Sequence, residues 1–332
     1  MSKYHLYGIG AALVDTEIEV TNDDLKKLGI EKGLMTLVDE QRQQELIAYL
    51  SHHLTASKRA SGGSGANSII GASYFGAKTF YSCKVSDDDN GNFYLRDMAN
   101  AGVTCNKNDQ LHKGVTGKCL VLITPDAERT MLTHLGISAT LSENELDLNA
   151  ARNSEYIYLE GYLVTSPTAK KAAIKLRQTA EEHKVKTAIS LSDPGMVEFF
   201  STGLKEMIGN KVDLLFCNEH EAQGFVGAKT PQEAAEGLKK YAHSFAITLG
   251  SKGALVYDGS KFHNIAPYPV KAVDTNGAGD MFAGAFLYAI THGHDYACAG
   301  ALASRAAAAV VSDFGPRLQP EQHRQILKTV LP

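Results

Sequence analysis

The chain has 332 residues, a formal net charge of -4, and 44% hydrophobic and 21% charged residues, a composition that is ordinary for a globular protein. This acidic balance excludes a general binder of nucleic acid or of anionic membranes, and no apolar run reaches membrane-spanning length. The five cysteines are scattered without a CxxC pair, which argues against a disulfide framework or a zinc site and favours a reducing cytoplasm.

The N-terminal part of the chain mixes two kinds of strand. A strand at 4–10 precedes an alternating segment at 14–20, a short helix at 23–28 and a short strand at 33–38. A glycine-rich stretch at 61–67 then leads into an apolar helix at 68–75 and a strand at 79–83. Residues 115–124 and 129–135 predict a hairpin, which is foreign to a plain βαβ rhythm.

Regular alternation of strands and helices fills the rest of the chain. Strands are predicted at 156–160, 187–191, 212–217 and 245–249, with helices at 167–182 and 232–242 between them. A hairpin-like pair at 254–257 and 261–265 precedes helices at 277–292, at 296–311 and from about 321. This pattern predicts one α/β domain over 1–332, a doubly wound, mainly parallel sheet covered on both faces.

The alternating strands do not fit inside such a sheet. We expect them to form a small separate β-sheet, half-exposed on one face, from about 12–38 and 104–135. If it lies at the carboxyl ends of the main strands, this discontinuous segment covers the site as a lid.

The stretch 274–284 combines an anion-binding helix start with a carboxylate. Gly277, Ala278 and Gly279 bring small residues to the start of an apolar helix, where free N–H groups and the helix dipole favour an anion. Asp280 follows in the first turn, beside the predicted phosphate. Because two anions repel, the simplest reason for Asp280 is that it takes a proton from a hydroxyl that attacks the phosphate. The alternative is that Asp280 only complements the helix N-terminus.

Four motifs in this order resemble the ribokinase-like (PfkB) family of sugar and nucleoside kinases. They are Gly62-Gly63-x-x-x-Asn67, Asn218-x-x-Glu221, Thr248-Leu249-Gly250-x-x-Gly253 and Asp274-Thr275-x-Gly277-Ala278-Gly279-Asp280. Together they span nearly the whole chain. Within the family, the strings at 8–15, 128–131 and 160–163 are most similar to bacterial adenosine kinases.

For the acceptor, the resemblance implies a ribose site made of Asp15, Gly62, Gly63 and Asn67. Asp15 can accept two hydroxyl hydrogen bonds at once, which suits a vicinal diol. Arg129, in the predicted lid hairpin, would reach the phosphates when the lid closes. The alternatives are a turn residue for Asp15, a helix-start turn for the two glycines and a solvated hairpin arginine.

For ATP, the resemblance implies that Thr248, Gly250 and Gly253 border the phosphates and the ribose, together with Asn218 and Asn276. The N–H groups of the 277–279 turn would hold the transferring phosphoryl group and stabilise its charge. An ordinary hairpin turn explains the glycines at 250 and 253 equally well.

Two metal roles follow from the same resemblance. Asn218 and Glu221 would organise Mg²⁺ through water, because Mg²⁺ keeps much of its hydration shell. The alternative is that Asn218 caps a helix whose first turn exposes Glu221. Asp274, with Asn276, is a candidate ligand for a monovalent cation such as K⁺.

The predicted function is ATP-dependent phosphorylation of O5′ of adenosine to AMP, with Asp280 as general base. A ribokinase- or fructokinase-like sugar kinase is the alternative within the class, and a catalytically idle nucleoside-binding regulator is the alternative outside it. No GxGxxG follows the first strand and no GxxxxGK[ST] occurs, which weighs against a Rossmann dehydrogenase and a P-loop kinase. The lid would serve either as a monomer's cover or as a homodimer interface.

Overall fold

The computed structural model describes residues 3–51, 59–106 and 112–330. Its strands are β1 (Tyr4–Ile9), β2 (Leu13–Glu19), β3 (Met35–Leu37), β4 (Arg59–Gly62), β5 (Thr79–Ser82), β6 (Val103–Cys105), β7 (Thr116–Ile123), β8 (Arg129–Gly136), β9 (Ser154–Glu160), β10 (Lys186–Ser190), β11 (Val212–Asn218), β12 (Ala242–Thr248), β13 (Ala254–Tyr257) and β14 (Phe262–Ile265). Its helices are α1 (Asn22–Leu28), α2 (Glu40–Tyr49), α3 (Ser64–Phe75), α4 (Asp89–Asn100), α5 (Leu148–Arg152), α6 (Pro167–His183), α7 (Pro194–Ile208), α8 (Glu219–Val226), α9 (Pro231–Leu238), α10 (Ala278–Thr291), α11 (Tyr296–Val311) and α12 (Pro320–Val330). No helix in these ranges is long and apolar enough to cross a membrane.

The main sheet has nine strands in the order β14-β13-β12-β11-β10-β9-β1-β5-β6. All neighbours pair in parallel except β12 with β13 and β13 with β14. One apolar cluster, which includes Tyr81 and Phe286, packs beneath α3, α10 and α11, and a second, which includes Tyr7 and Phe245, packs beneath α6 to α9. Because both faces are buried, the strands are mainly apolar, and the doubly wound α/β fold predicted from the sequence is confirmed.

A second sheet of five strands has the order β3-β8-β7-β2-β4. Its centre is mixed, because β2 pairs in parallel with β7 and antiparallel with β4. The predicted boundaries of this small sheet need two corrections. Arg59–Gly62 belongs to it as β4, although its polar sequence gave no strand signal, whereas Val103–Cys105 pairs with β5 in the main sheet. Residues 107–111 of the predicted segment lie outside the described residues.

Both faces of the small sheet are covered at its centre. On the outer face, Ile18, Leu120 and Leu122 pack against α1 and α2. On the inner face, Leu13 and Cys119 belong to a separate apolar cluster that faces the main body. The expectation of one half-exposed face is therefore wrong for β7, whose residues are almost all buried.

One predicted helix ends too late. The sequence predicts a helix at 232–242, but α9 ends at Leu238 and Ala242 already begins β12. Ala234, Ala235 and Leu238 form the buried face of α9, so the apolar pattern runs on into the following strand. Periodicity alone does not separate two adjacent apolar elements of this kind.

Candidate active site

A cleft of about 530 Å³ lies between the carboxyl ends of the main strands and the inner face of the small sheet. Glu160, Ser190, Asn218 and Thr248, at the ends of β9 to β12, line it. Ligands of open α/β sheets bind at this edge, because the loops that follow parallel strands meet there. The cleft is therefore the candidate active site.

Most residues predicted for the site line this cleft. They are Asp15, Gly63, Asn67, Arg129, Asn218, Glu221, Thr248, Gly250, Asn276, Gly277, Ala278, Gly279 and Asp280. Three predicted residues, Gly62, Gly253 and Asp274, are not among its lining. The structure thus brings segments from both sheets and from the starts of α3, α8 and α10 to one place.

The start of α10 has the geometry of an anion site. Gly277 has φ of +74°, and a Cβ there would lie 2.5 Å from Cα of Pro316, so only glycine fits without strain. Gly279 has open space where its Cβ would be, facing the cleft. Ala278 N–H makes only a long bond of 3.4 Å to Thr275 O. The first turn therefore offers its N–H groups and the positive end of the helix dipole to the cleft.

Asp280 is held at the base of the cleft by two side chains from α3. Ser64 Oγ donates to Asp280 Oδ1 at 2.6 Å, and Asn67 Nδ2 donates to Asp280 Oδ2 at 3.2 Å. Burial raises the pKa of Asp280, while these two bonds and the charge of Arg129 oppose the rise. A carboxylate whose pKa is moved towards neutrality is a stronger base and keeps its position.

Asp15 is a buried carboxylate from the small sheet, only 5% exposed. Its Oδ1 has no hydrogen-bond partner within the described ranges, and burial raises its pKa to about 8, with Arg317 opposing the rise. A Cβ on Gly62 would lie 1.9 Å from Asp15 Oδ2, so glycine is required there for close approach of β4. Gly62 thus contributes by making room for Asp15.

Asn218 and Glu221 form a reciprocal capping box at the start of α8. Asn218 Oδ1 accepts from Glu221 N at 2.8 Å, while Asn218 N and Nδ2 donate to the two Glu221 oxygens at 3.0 and 2.7 Å. The capping alternative is thus correct for Asn218, but Glu221 is buried rather than exposed. Burial raises the pKa of Glu221 to about 7.

Asp274 and Gly253 lie outside the cleft lining and stabilise turns. Asp274 is fully buried, and its two oxygens accept from Asn276 N at 2.8 Å and Gly315 N at 3.0 Å, so it fixes the loop before α10. Gly253 has φ of +93°, and a Cβ there would lie 2.0 Å from Ile265 O. Its geometry is that of a glycine required by a tight turn.

The inner face of the small sheet forms an apolar wall of the cleft. Leu13, Cys119, Met131 and Leu135 all line the cleft from β2, β7 and β8. At the turn between β7 and β8 the small sheet touches the α10 loop, where Thr275 Oγ1 donates to Ala127 O at 3.0 Å. The small sheet therefore closes directly over the candidate anion site.

Three residues of the site were not predicted from the sequence. Ser64 holds Asp280 as described above. Glu160 is buried at the end of β9, accepts from the backbone N–H groups of Ala11 and Gly65, and has its pKa raised by burial to about 7. Arg317, in the segment between α11 and α12, donates to Asn67 Oδ1 on α3. An acidic residue at the carboxyl end of an apolar strand was a usable signal for Glu160, whereas Arg317 lies outside every motif.

Comparison with known proteins gives a family match over most of the chain. The model of the "pfkB family carbohydrate kinase" matches residues 35–323. An adenosine kinase of Saccharomyces cerevisiae is 27% identical over 95% of this chain and 96% of its own length. A mouse ribokinase is 26% identical over 70% of this chain and 71% of its own length.

Two solved structures are similar over the whole fold. Adenosine kinase from Sinorhizobium meliloti is 30% identical and superposes with a TM-score of 0.92 over 98% of this chain and 99% of its own. A probable sugar kinase from Rhizobium etli is 28% identical, with the same TM-score and the same coverage. The chain belongs to the pfkB family of carbohydrate kinases, phosphotransferases that use ATP and an alcohol acceptor.

Proposed function

We propose that the chain phosphorylates O5′ of adenosine, with ATP as donor and AMP as product. The observation that carries this proposal is the apolar wall of the cleft, formed by Leu13, Cys119, Met131 and Leu135 opposite the polar site. A free sugar has no apolar face of that size, whereas a nucleoside presents a flat base beside its ribose. Burying the base on this wall supplies binding free energy that a sugar cannot gain.

The ribose is assigned to the polar groups at the end of the apolar wall. Asp15 has an unpartnered buried oxygen among the described residues, and a carboxylate can accept from both hydroxyls of a vicinal diol. Asn67 lines the same cleft and donates to Asp280. The proposed ribose therefore lies with its O5′ hydroxyl towards the start of α10.

In the proposed reaction Asp280 accepts the proton of O5′–H while O5′ attacks the γ-phosphorus. The bond between that phosphorus and the β–γ bridging oxygen breaks, and ADP leaves. The N–H groups of the 277–279 turn stabilise the charge on the transferring group. Arg129, which lines the cleft from β8, is the proposed cation over the phosphates, with closure by the small sheet excluding water.

Mg²⁺ fits this site only if water molecules lie between the ion and the protein side chains. Both oxygens of Glu221 already accept from Asn218, and the described residues contain no cluster of three or more metal-binding side chains. Such a set suits an ion that keeps its water and binds chiefly to the phosphates. We therefore assign Asn218 and Glu221 to the water shell of Mg²⁺, which would neutralise phosphate charge when bound.

The roles of Asp274 in K⁺ binding and of the remaining ATP residues stay predictions. Both oxygens of Asp274 accept backbone N–H groups, and Nδ2 of Asn276 is a buried donor without a hydrogen-bond partner in the described chain. Thr248 and Gly250 line the cleft next to α8, which supports their assignment to ATP. Between monomer and homodimer, the cover of α1 and α2 over the outer face of the small sheet supports the monomer.

A sugar kinase is the second candidate, because a ribokinase and a probable sugar kinase are among the similar proteins. The two candidates differ in the acceptor and share the chemistry at Asp280. They are separated by a turnover panel of the purified chain with ATP and Mg²⁺, using adenosine, inosine, guanosine, ribose and fructose.

We expect adenosine to give the highest kcat/KM, with AMP as product. The matched control is 5′-deoxyadenosine, which retains the base and the diol but lacks the attacking hydroxyl, and which should inhibit without turnover. Turnover of ribose or fructose with none of the three nucleosides would overturn the proposal in favour of the sugar kinase.

A further inference from the structure

Arg317 lies in the segment that follows α11 and reaches the back of the active site. Its side chain is only 11% exposed. Three of its nitrogens donate to three elements: Nε to Asn67 Oδ1 on α3 at 3.3 Å, Nη2 to Ser61 Oγ on β4 at 3.0 Å, and Nη1 to Asp97 Oδ2 on α4 at 3.1 Å. One guanidinium therefore joins the small sheet, α3 and α4 behind the cleft.

The chemistry of a guanidinium determines which way the Asn67 carboxamide turns. An arginine side chain has donors only, so the atom of Asn67 that faces Arg317 must be the oxygen. The amide nitrogen then points to the opposite side, where it donates to Asp280 Oδ2 at 3.2 Å. In the reversed orientation the Asn67 oxygen would face the carboxylate, and two acceptors would repel each other.

The segment that carries Arg317 is also tied to the anion site. Gly315 N–H donates to Asp274 Oδ2, and Pro316 packs against Gly277 at the start of α10. Arg317 is therefore held by the same turn that shapes the phosphate end of the cleft, and its position relative to Asp280 is fixed from two sides.

We propose that Arg317 is a positioning residue that fixes the Asn67 carboxamide, so that Asn67 donates to the Asp280 carboxylate. The proposal rests on the proposed role of Asp280 as general base. Arg317 touches no reacting atom in it. Its effect reaches the reaction through one hydrogen bond, which favours the charged form of the base that accepts the O5′ proton.

The pH dependence of kcat/KM is the readout, because it reports the ionisation of the free base. Ser64 and Asn67 contact Asp280 as hydrogen-bond donors. The titratable groups whose charges interact with Asp280 come from β2, β8, β9, the segment after β9 and α8. They are Asp15, Arg129, Tyr158, Glu160, Tyr162 and Glu221. All of these remain in an Arg317 variant, but Arg317 also lowers the pKa of Asp15. A shift of the acidic limb is therefore assigned to Asn67 by two comparisons, with Arg317→Lys, which keeps the charge, and with an Asn67 double variant.

In Arg317→Met we expect the acidic limb of the kcat/KM profile to move up by about one pH unit, because the charged base loses one oriented donor. Arg317→Lys keeps a cation that only donates, and should shift the limb less. Arg324→Met is the matched control, because Arg324 pairs only with exposed Glu321 on α12 in the described chain, and its profile should equal wild type.

A double-mutant cycle with Asn67→Ala tests whether Arg317 acts through Asn67. If it does, the limb of the double variant should equal that of Asn67→Ala alone. Additive shifts, or an unchanged limb in Arg317→Met that retains its melting cooperativity, would overturn the inference. If the Met variant does not fold, the Lys variant in the same cycle decides by the same criteria.

Asp280→Asn separates this inference from the proposed function. If Asp280→Asn retains turnover, the proposed base is wrong whatever Arg317 does. If Asp280→Asn loses turnover while the Arg317 variants keep the wild-type limb, the base stands and only the positioning role fails.

Discussion

The two walls of the cleft differ in the kind of side chain that lines them. On the main-sheet wall, the carboxylates of Asp280, Glu160 and Glu221 all accept hydrogen bonds from residues at helix starts or strand ends, and Glu160 and Glu221 are buried. On the small-sheet wall, Leu13 and Met131 are apolar and contact the cleft through their side chains. The main-sheet wall holds charged groups in fixed positions, and the small-sheet wall presents a mainly apolar surface.

The chemistry and the choice of acceptor are therefore located on different walls. Groups that must hold a proton or a phosphate within a few tenths of an ångström need rigid partners, which helix starts and strand ends provide. Groups that choose an acceptor need only shape and apolar area, which a sheet face provides. We therefore expect damage to the first wall to lower kcat and damage to the second to raise KM.

The largest effect should come from Asp280→Asn. The amide is the same size but cannot accept the hydroxyl proton, so kcat should fall by about 10²–10⁴-fold, the usual range for a general base. Adenosine affinity, measured by calorimetry without ATP, should stay within about threefold of wild type, because the change removes no apolar contact. Equal losses in affinity and in kcat/KM would instead place Asp280 in acceptor binding.

The next effect should separate two neighbouring glycines. Gly277→Ala places a Cβ 2.5 Å from Pro316 in a left-handed conformation, so it should lower both the melting temperature and kcat, the latter by about 10²-fold. Gly279→Ala has open space around its Cβ and should leave the melting temperature near wild type. Because that space faces the cleft, its effect should be confined to the KM for ATP. Equal melting temperatures for the two variants would contradict the described turn.

The apolar wall is tested by two adjacent residues of β8 that point to opposite faces. Met131 lines the cleft, whereas Leu132 is buried against the α1 and α2 side. Met131→Ala should raise the KM for adenosine about tenfold with kcat nearly unchanged, because it removes apolar contact with the base.

Leu132→Ala is the control on the other face. It should lower the unfolding free energy by about 2–5 kcal/mol and leave the KM unchanged. A KM effect that follows the loss of stability in both variants would show that the two faces are not functionally distinct.

The main sheet could be predicted better than the small sheet, for a physical reason. Glycines with required conformations are local, so the turn at Gly277 and the glycine-rich helix start at Gly63 could be found from neighbouring residues, whereas the site role of Asn218 was implied by the family resemblance. The doubly wound sheet was also predictable, because strands buried on both faces appear in the sequence as nearly continuous apolar runs.

Partners that depend on long-range contact could not be predicted. Arg317 and Asn67 are separated by 250 positions, and no local pattern joins them. The polar strand β4 had no strand signal, because its place at the edge of the small sheet comes from pairing with β2 and from the approach of Gly62 to Asp15. The inner and outer faces of β8 were likewise settled only when α1 and α2 covered one of them.

Asp15 is the buried carboxylate on the small-sheet wall, and its substitution tests the free protein in the absence of acceptor and ATP. Its pKa is raised from 3.8 to about 8 by burial, so the folded chain binds this proton more tightly than the unfolded chain. The resulting stability is fully present below the unfolded pKa and is lost as the pH rises through about 8.

Asp15→Asn is neutral at every pH and avoids this loss. Its melting temperature should therefore exceed that of wild type by a margin that grows between about pH 4 and pH 8 and reaches about 5–10 °C, because a pKa raised from 3.8 to about 8 corresponds to several kcal/mol. Scanning calorimetry of both proteins in matched buffers measures this margin, and the Leu132→Ala variant, whose change titrates nothing, should keep a constant offset. If the margin does not change with pH, Asp15 is ionised in the free protein, and its oxygen then has a charged partner that the diol must displace.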